Sequence, residues 1–64
     1  MKGYGKAIRD ILSENGCWFV RHGKGDHDIW ESPISGNRFT VDRTILSRHT
    51  ANGILKEAGL EKAF

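Results

Sequence analysis

Three short β-prone runs joined by two glycine-bearing turns fill the middle of this chain, and they restrict its fold more than any other feature. Cys17-Trp18-Phe19-Val20-Arg21, His27-Asp28-Ile29-Trp30-Glu31 and Arg38-Phe39-Thr40-Val41 are rich in aromatic and β-branched residues, the composition of strands. His22-Gly23-Lys24-Gly25-Asp26 and Ser32-Pro33-Ile34-Ser35-Gly36-Asn37 separate them. Such connections are too short for the crossover that parallel strands need. The runs must therefore lie side by side and antiparallel, as a meander.

On either flank the period changes. Between Lys6 and Glu14, the residues Ala7, Ile8, Ile11 and Leu12 recur at helical spacing, and Asn15-Gly16 is a stop signal. Lys2, Lys6 and Arg9 share the opposite side if this helix begins a turn earlier. Asp42 to Leu46 leads out of the sheet. Ser47 then stands as an N-cap, its hydroxyl able to accept from the free amides of a first turn. Ala51, Ile54, Leu55 and Ala58 follow the i, i+3, i+4, i+7 template. Gly59 closes this second helix, and Leu60 can pack back on its last turn. Gly53, inside it, costs about 1 kcal/mol against alanine, a cost that a close approach to the helix would explain. The expected fold is α+β: a compact α-β-β-β-α chain whose three-stranded antiparallel sheet carries both helices on one face.

With 64 residues, this is one domain, residues 1–64. A chain so short buries only about 60% of its unfolded surface. An enzyme of this size must work with a shallow site and few residues, and no cofactor is expected. The lone Cys17 excludes an internal disulfide and a cysteine-based zinc site; it reads as a buried strand residue. His22 and His27 lie across a turn, but no spacing specifies a third ligand, so no metal is expected. No apolar stretch approaches the ~20 residues that span a bilayer, and Met1 to Lys6 has no apolar signal core. A membrane partner is not expected. A small domain without disulfides suits the reducing cytoplasm.

The candidates for chemistry are few. His27 begins a strand just after a flexible basic turn, beside Lys24 and the backbone amides around Gly25. An imidazole can accept or donate a proton near neutral pH, and a cation with loop amides suits a phosphate. The competing reading is a surface histidine in a turn. Arg48 and Lys56 fall on one face of the last helix with Asn52 between them, and Arg43 and His49 flank its start. They read either as a solvated polar face or as a contact for a polyanion, which the positive end of a helix favours. Asp26, Asp28, Glu31 and Asp42 gather instead around the strands. Alternation puts His27 and Ile29 on one face and Asp28 and Trp30 on the other. One of Trp18 and Trp30 is therefore expected to face away from the helices, as a protein interface or a base-stacking surface.

Gly25-Asp26-His27-Asp28-Ile29-Trp30 resembles the Gly-Ser-His motif and following aromatic of HicA-type toxins, also called the YcfA family. Gly16 to Arg21, Phe39-Thr40-Val41 and the ending Thr50-Ala-Asn-Gly-Ile-Leu-Lys-Glu-Ala-Gly-Leu60 are similar too, so the resemblance spans nearly the whole chain in order. It implies the α-β-β-β-α fold akin to double-stranded-RNA-binding domains. It also implies an mRNA interferase of a type II toxin–antitoxin system: a metal-independent endoribonuclease that depends on His27 and is neutralised by a HicB-type antitoxin covering the catalytic region. His27 and Trp30 are the expected antitoxin-facing residues, and Lys24, Gly25, Arg48 and Lys56 the expected RNA contacts. The toxin is expected as a monomer within a hetero-oligomeric complex. Two places depart from the pattern: Asp26 stands where many members have serine, and the segment around Asp42 is less typical, since members often have proline after the third strand. With one titratable group identified, water or the substrate must supply its partner, and the enzyme should be slow. The alternative is a non-catalytic RNA-binding module using the same basic faces.

Overall fold

The computed structural model describes residues 3–64; Lys2, expected on the outer side of the first helix, lies outside the described residues. Helix α1 (Gly5–Glu14) buries Ile8 and Leu12, the stripe that its spacing predicts. Among the described residues, no side chain caps its start. The Tyr4 amide donates instead to the Ile45 carbonyl at 2.6 Å, so a distant segment sets where the helix begins. At its end the Asn15 side-chain amide donates to the Ile11 carbonyl at 2.8 Å, and the Cys17 amide to that of Leu12 at 2.9 Å.

Strands β1 (Trp18–His22), β2 (His27–Glu31) and β3 (Arg38–Asp42) form one antiparallel sheet in the order β1-β2-β3, and helix α2 (Arg48–Glu57) follows. This is the expected α-β-β-β-α architecture. Two strands end one residue later than their composition indicates. Cys17 is buried as expected but its amide is tied to the end of α1, so the ladder starts at Trp18. Asp42 extends β3 because it pairs with His27.

The pairing of β1 with β2 slips between Phe19 and Arg21: Phe19 faces Trp30 and Arg21 faces Ile29. Val20 is the extra residue of a β-bulge, which re-aims the side chains that follow it. Before the bulge Phe19 points to the helix side, where it meets Trp30 edge to face at 6.5 Å. After it, Arg21 points to the opposite side.

Both helices cover one face of the sheet. Trp30, Phe39 and Val41 from the strands join Ile8, Leu12, Ile45, Ala51, Ile54, Leu55 and Ala58 in the core. This corrects one expectation. Trp30 is only 7% exposed and offers no surface to an antitoxin, because its strand face is the one the helices cover. Trp18, 46% exposed, is the tryptophan that faces away. Among the described residues, the Trp30 indole Nε1 has no hydrogen-bond partner, a cost of about 1–3 kcal/mol. Burying so large a ring outweighs it, since truncating a core tryptophan costs about 3–5 kcal/mol.

The end of α2 is built as its sequence indicates. Ser47 Oγ accepts from the His49 and Thr50 amides at its start. At its close Gly59 has φ +84° and the Leu60 amide donates to the Leu55 carbonyl at 2.8 Å. A Cβ at Gly59 would lie 2.9 Å from Ile34 Cγ2, so glycine also lets the β2–β3 turn close on the helix. Fully buried Ser32 fixes that contact: its hydroxyl donates to the Ala58 carbonyl at 2.6 Å and accepts from the Ile34 and Ser35 amides. By contrast, a Cβ at Gly53 would meet no atom of the described residues within 4 Å, so no contact there requires glycine.

Two stability predictions follow from these contacts. Ser32→Ala strands the Ala58 carbonyl and two amides and should cost about 1–3 kcal/mol, measured by urea denaturation. Gly53→Ala should add about 1 kcal/mol in the same assay.

Candidate functional site

The face of the sheet that the helices leave bare carries the candidate site. It forms at the β1–β2 end, where the turn closes tightly. The Gly23 amide donates to the His27 carbonyl at 2.7 Å, and the His27 amide to that of Lys24 at 3.2 Å. Gly25 takes φ +63° with nothing near its Cβ position, a left-handed turn conformation that glycine adopts without strain. His27 is thus fixed at the first position of β2, on the outer face.

Around it lies a shallow concavity lined by Arg21, Gly23, Lys24, His27, Ile29 and Thr40, of about 460 Å³. Arg21 arrives there because of the bulge at Val20, and Thr40 because it pairs with Ile29 across β2 and β3. Among the described residues, neither Lys24 nor Arg21 has a carboxylate within ion-pair distance; the lysine and arginine side chains that do are Lys6, Arg38 and Arg43. Two free cations therefore face the same space as the imidazole. His27 Nδ1 lies 2.5 Å from Asp42 Oδ1, with both side chains partly open to solvent.

The acidic residues, which the sequence groups around the strands, are divided by the two faces. Asp42 is on the site face. Asp28 is on the helix side, its side chain 13% exposed, 2.9 Å from His22 Nδ1 and 3.6 Å from Arg43. Arg43 is thereby drawn to His22 and Asp28, away from the α2 start that it flanks in sequence. The Asp26 backbone carbonyl accepts from the Arg43 amide at 3.0 Å.

The structure brings Lys24 and Gly25 to His27, in one turn. It does not bring Lys56 there. Lys56 lines a separate groove over α2, of about 480 Å³, with His49, Asn52, Gly53, Leu60 and Lys62. Arg48 lines neither concavity. Asn52, between them, is occupied in holding the C-terminal segment: its side chain bonds Ala63 and Phe64 at 3.1 Å. No three His, Cys, Asp or Glu side chains among the described residues gather as a metal site would need, and no helix there is long and apolar enough to cross a membrane.

Sequence reasoning missed Arg21 and Asp42. For Asp42 a signal exists: alternation from Phe39 and Val41 puts residues 40 and 42 on the outer face, and an antiparallel register then sets Asp42 against His27. For Arg21 the alternation misleads, because it takes no account of the bulge.

The model of one protein family, described as the HicA toxin of bacterial toxin-antitoxin, matches residues 5–60. Among curated proteins and among solved structures, nothing matches the chain.

Proposed function

The chain belongs to the HicA toxin family of bacterial toxin–antitoxin systems, and from that premise we propose that it is a metal-independent endoribonuclease that cleaves mRNA through His27. The observation that carries this reading is the placement of a solvent-accessible imidazole beside two unpaired cations on an open face. RNA brings its own nucleophile. A base removes the proton of the ribose 2′-OH, the 2′-oxygen attacks the adjacent phosphorus, and the bond from phosphorus to the 5′-oxygen breaks. The products are a 2′,3′-cyclic phosphate and a 5′-hydroxyl. His27 serves as the base. Lys24 and Arg21, with the turn amides near Gly25, stabilise the charge that builds on the phosphate. The leaving 5′-oxygen takes its proton from solvent, and turnover is slow.

A shallow concavity suits this chemistry, since a single-stranded RNA need only lay one phosphodiester across it. Arg48 and Lys56 act as backbone contacts for RNA away from the point of cleavage. The partner is a HicB-type antitoxin. It binds the bare sheet face, covering His27 and resting on the exposed Trp18 in the role expected of Trp30. The toxin enters that complex as a monomer and acts in the cytoplasm.

His27→Ala should lower the cleavage rate of a labelled single-stranded RNA by about 10²–10⁴-fold without lowering the melting temperature. A non-catalytic RNA-binding module would show no cleavage in the parent protein and no 2′,3′-cyclic phosphate ends. Lys24→Ala should slow cleavage by about 10²-fold, as loss of one charge-stabilising donor does. A substrate with a single 2′-deoxy position at the cut should resist; its cleavage there would exclude attack by the 2′-oxygen.

A further inference from the structure

Asp42 is the residue next to His27 that no reading above assigns a task. Its carboxylate can only accept a hydrogen bond. At 2.5 Å from Asp42 Oδ1, His27 Nδ1 must therefore carry a proton. A neutral ring held this way has one remaining acceptor, Nε2.

The backbone fixes this arrangement. His27 and Asp42 are a cross-strand pair on the open face, where directly opposite side chains lie within contact. One step beyond that pair the Arg43 amide donates to the Asp26 carbonyl at 3.0 Å, so the chain on both sides is tied together just outside it. Among the described residues, no lysine or arginine comes within ion-pair distance of the Asp42 carboxylate, whose one such partner is His27.

The molecule contains its own control. His22 and Asp28 form a second histidine–aspartate pair at 2.9 Å. There the Arg43 guanidinium also reaches His22 Nδ1, at 3.0 Å. One nitrogen cannot donate to Asp28 and accept from Arg43 at once, so that ring has no single enforced tautomer. It also faces the helix side, away from Lys24 and Arg21. The uncontested pair is the one beside the free cations.

We propose that Asp42 is a positioning residue: through the Nδ1 hydrogen bond it holds the neutral His27 ring in the Nδ1–H tautomer, leaving Nε2 to take the proton from the substrate hydroxyl. The task of Nε2 rests on the ribonuclease reading; the tautomer does not. After proton transfer both ring nitrogens carry hydrogen, and the Asp42 carboxylate faces the resulting cation. Electrostatic support of this kind is what orienting carboxylates supply to catalytic histidines. Asp42 touches no reacting atom.

Nitrogen NMR of the full uniformly ¹⁵N-labelled chain tests this, with ring signals assigned by comparison with His27→Ala and recorded where the imidazole is neutral. In the parent protein His27 should show a protonated Nδ1 and an unprotonated Nε2. Asp42→Ala should move the ring toward the Nε2–H form that free imidazole side chains prefer in water, with amide shifts of the core unchanged. Asp42→Glu, which keeps a carboxylate at this half-open edge, should restore part of the Nδ1–H population. In the RNA cleavage assay Asp42→Ala should lower kcat about 10–100-fold at unchanged KM. That lies below the ~10⁴-fold effect of a buried triad aspartate, because the Asp42 side chain is 38% exposed. An Nε2–H ring in the parent protein, or a tautomer indifferent to Asp42→Ala, overturns the proposal. An Nδ1–H ring that responds to Asp42 in a protein that cleaves no RNA sustains the positioning role and overturns the ribonuclease reading instead.

Discussion

The packing of Trp30 and Phe39 against the two helices is the contact on which the rest of the molecule depends. These two rings are cross-strand partners on one face of the sheet, and both are buried. A chain of this length has enough apolar side chains to cover a sheet once. Ile8 and Leu12 of α1 and Ala51, Ile54 and Leu55 of α2 are all spent on that one face. The other face stays open because both helices lie on the first. The open face that carries the candidate site thus goes with small size: two helices suffice to roof one side of the sheet and leave the other bare.

That one-sided burial also sorts the charges. Alternation along β2 sends His27 outward and Asp28 inward, and each finds a partner of opposite kind on its own face: Asp42 for His27, and His22 with Arg43 for Asp28. The inner trio closes the sheet's end against the segment that follows β3, while the outer pair stays accessible beside Lys24 and Arg21. Two chemically similar pairs thereby come to different uses, one holding chain segments together and the other facing solvent.

Much of this was legible in the sequence, and the reasons are specific. The helix α2 was readable at both ends because Ser47 and Gly59 act through local chemistry, a hydroxyl on free amides and a left-handed turn. The sheet was readable because its turns are too short for any other connection. Lys24, Gly25 and His27 came together because one turn holds them. Long-range facts were less accessible. That Trp30 and not Trp18 is buried depends on which face the helices take, and alternation within a strand does not say. That Lys56 and His27 occupy separate concavities depends on the sheet lying between the helices and the site. The cost of Gly53 finds no explanation in the packing, since among the described residues no atom lies within 4 Å of where its Cβ would be.

The extra residue in β1 makes the count of amino acids before Arg21 part of the site. Phe19 and Arg21 are two apart and would share a face in a regular strand; here one is turned toward the core side and the other toward the open face. An exchange of side chain at Val20 leaves that offset in place. Loss of one residue at the bulge would carry Arg21 to the side of the sheet that faces the helices, or force the whole strand to slide against β2. In this stretch the chain is therefore more tolerant of changes in spelling than of changes in length.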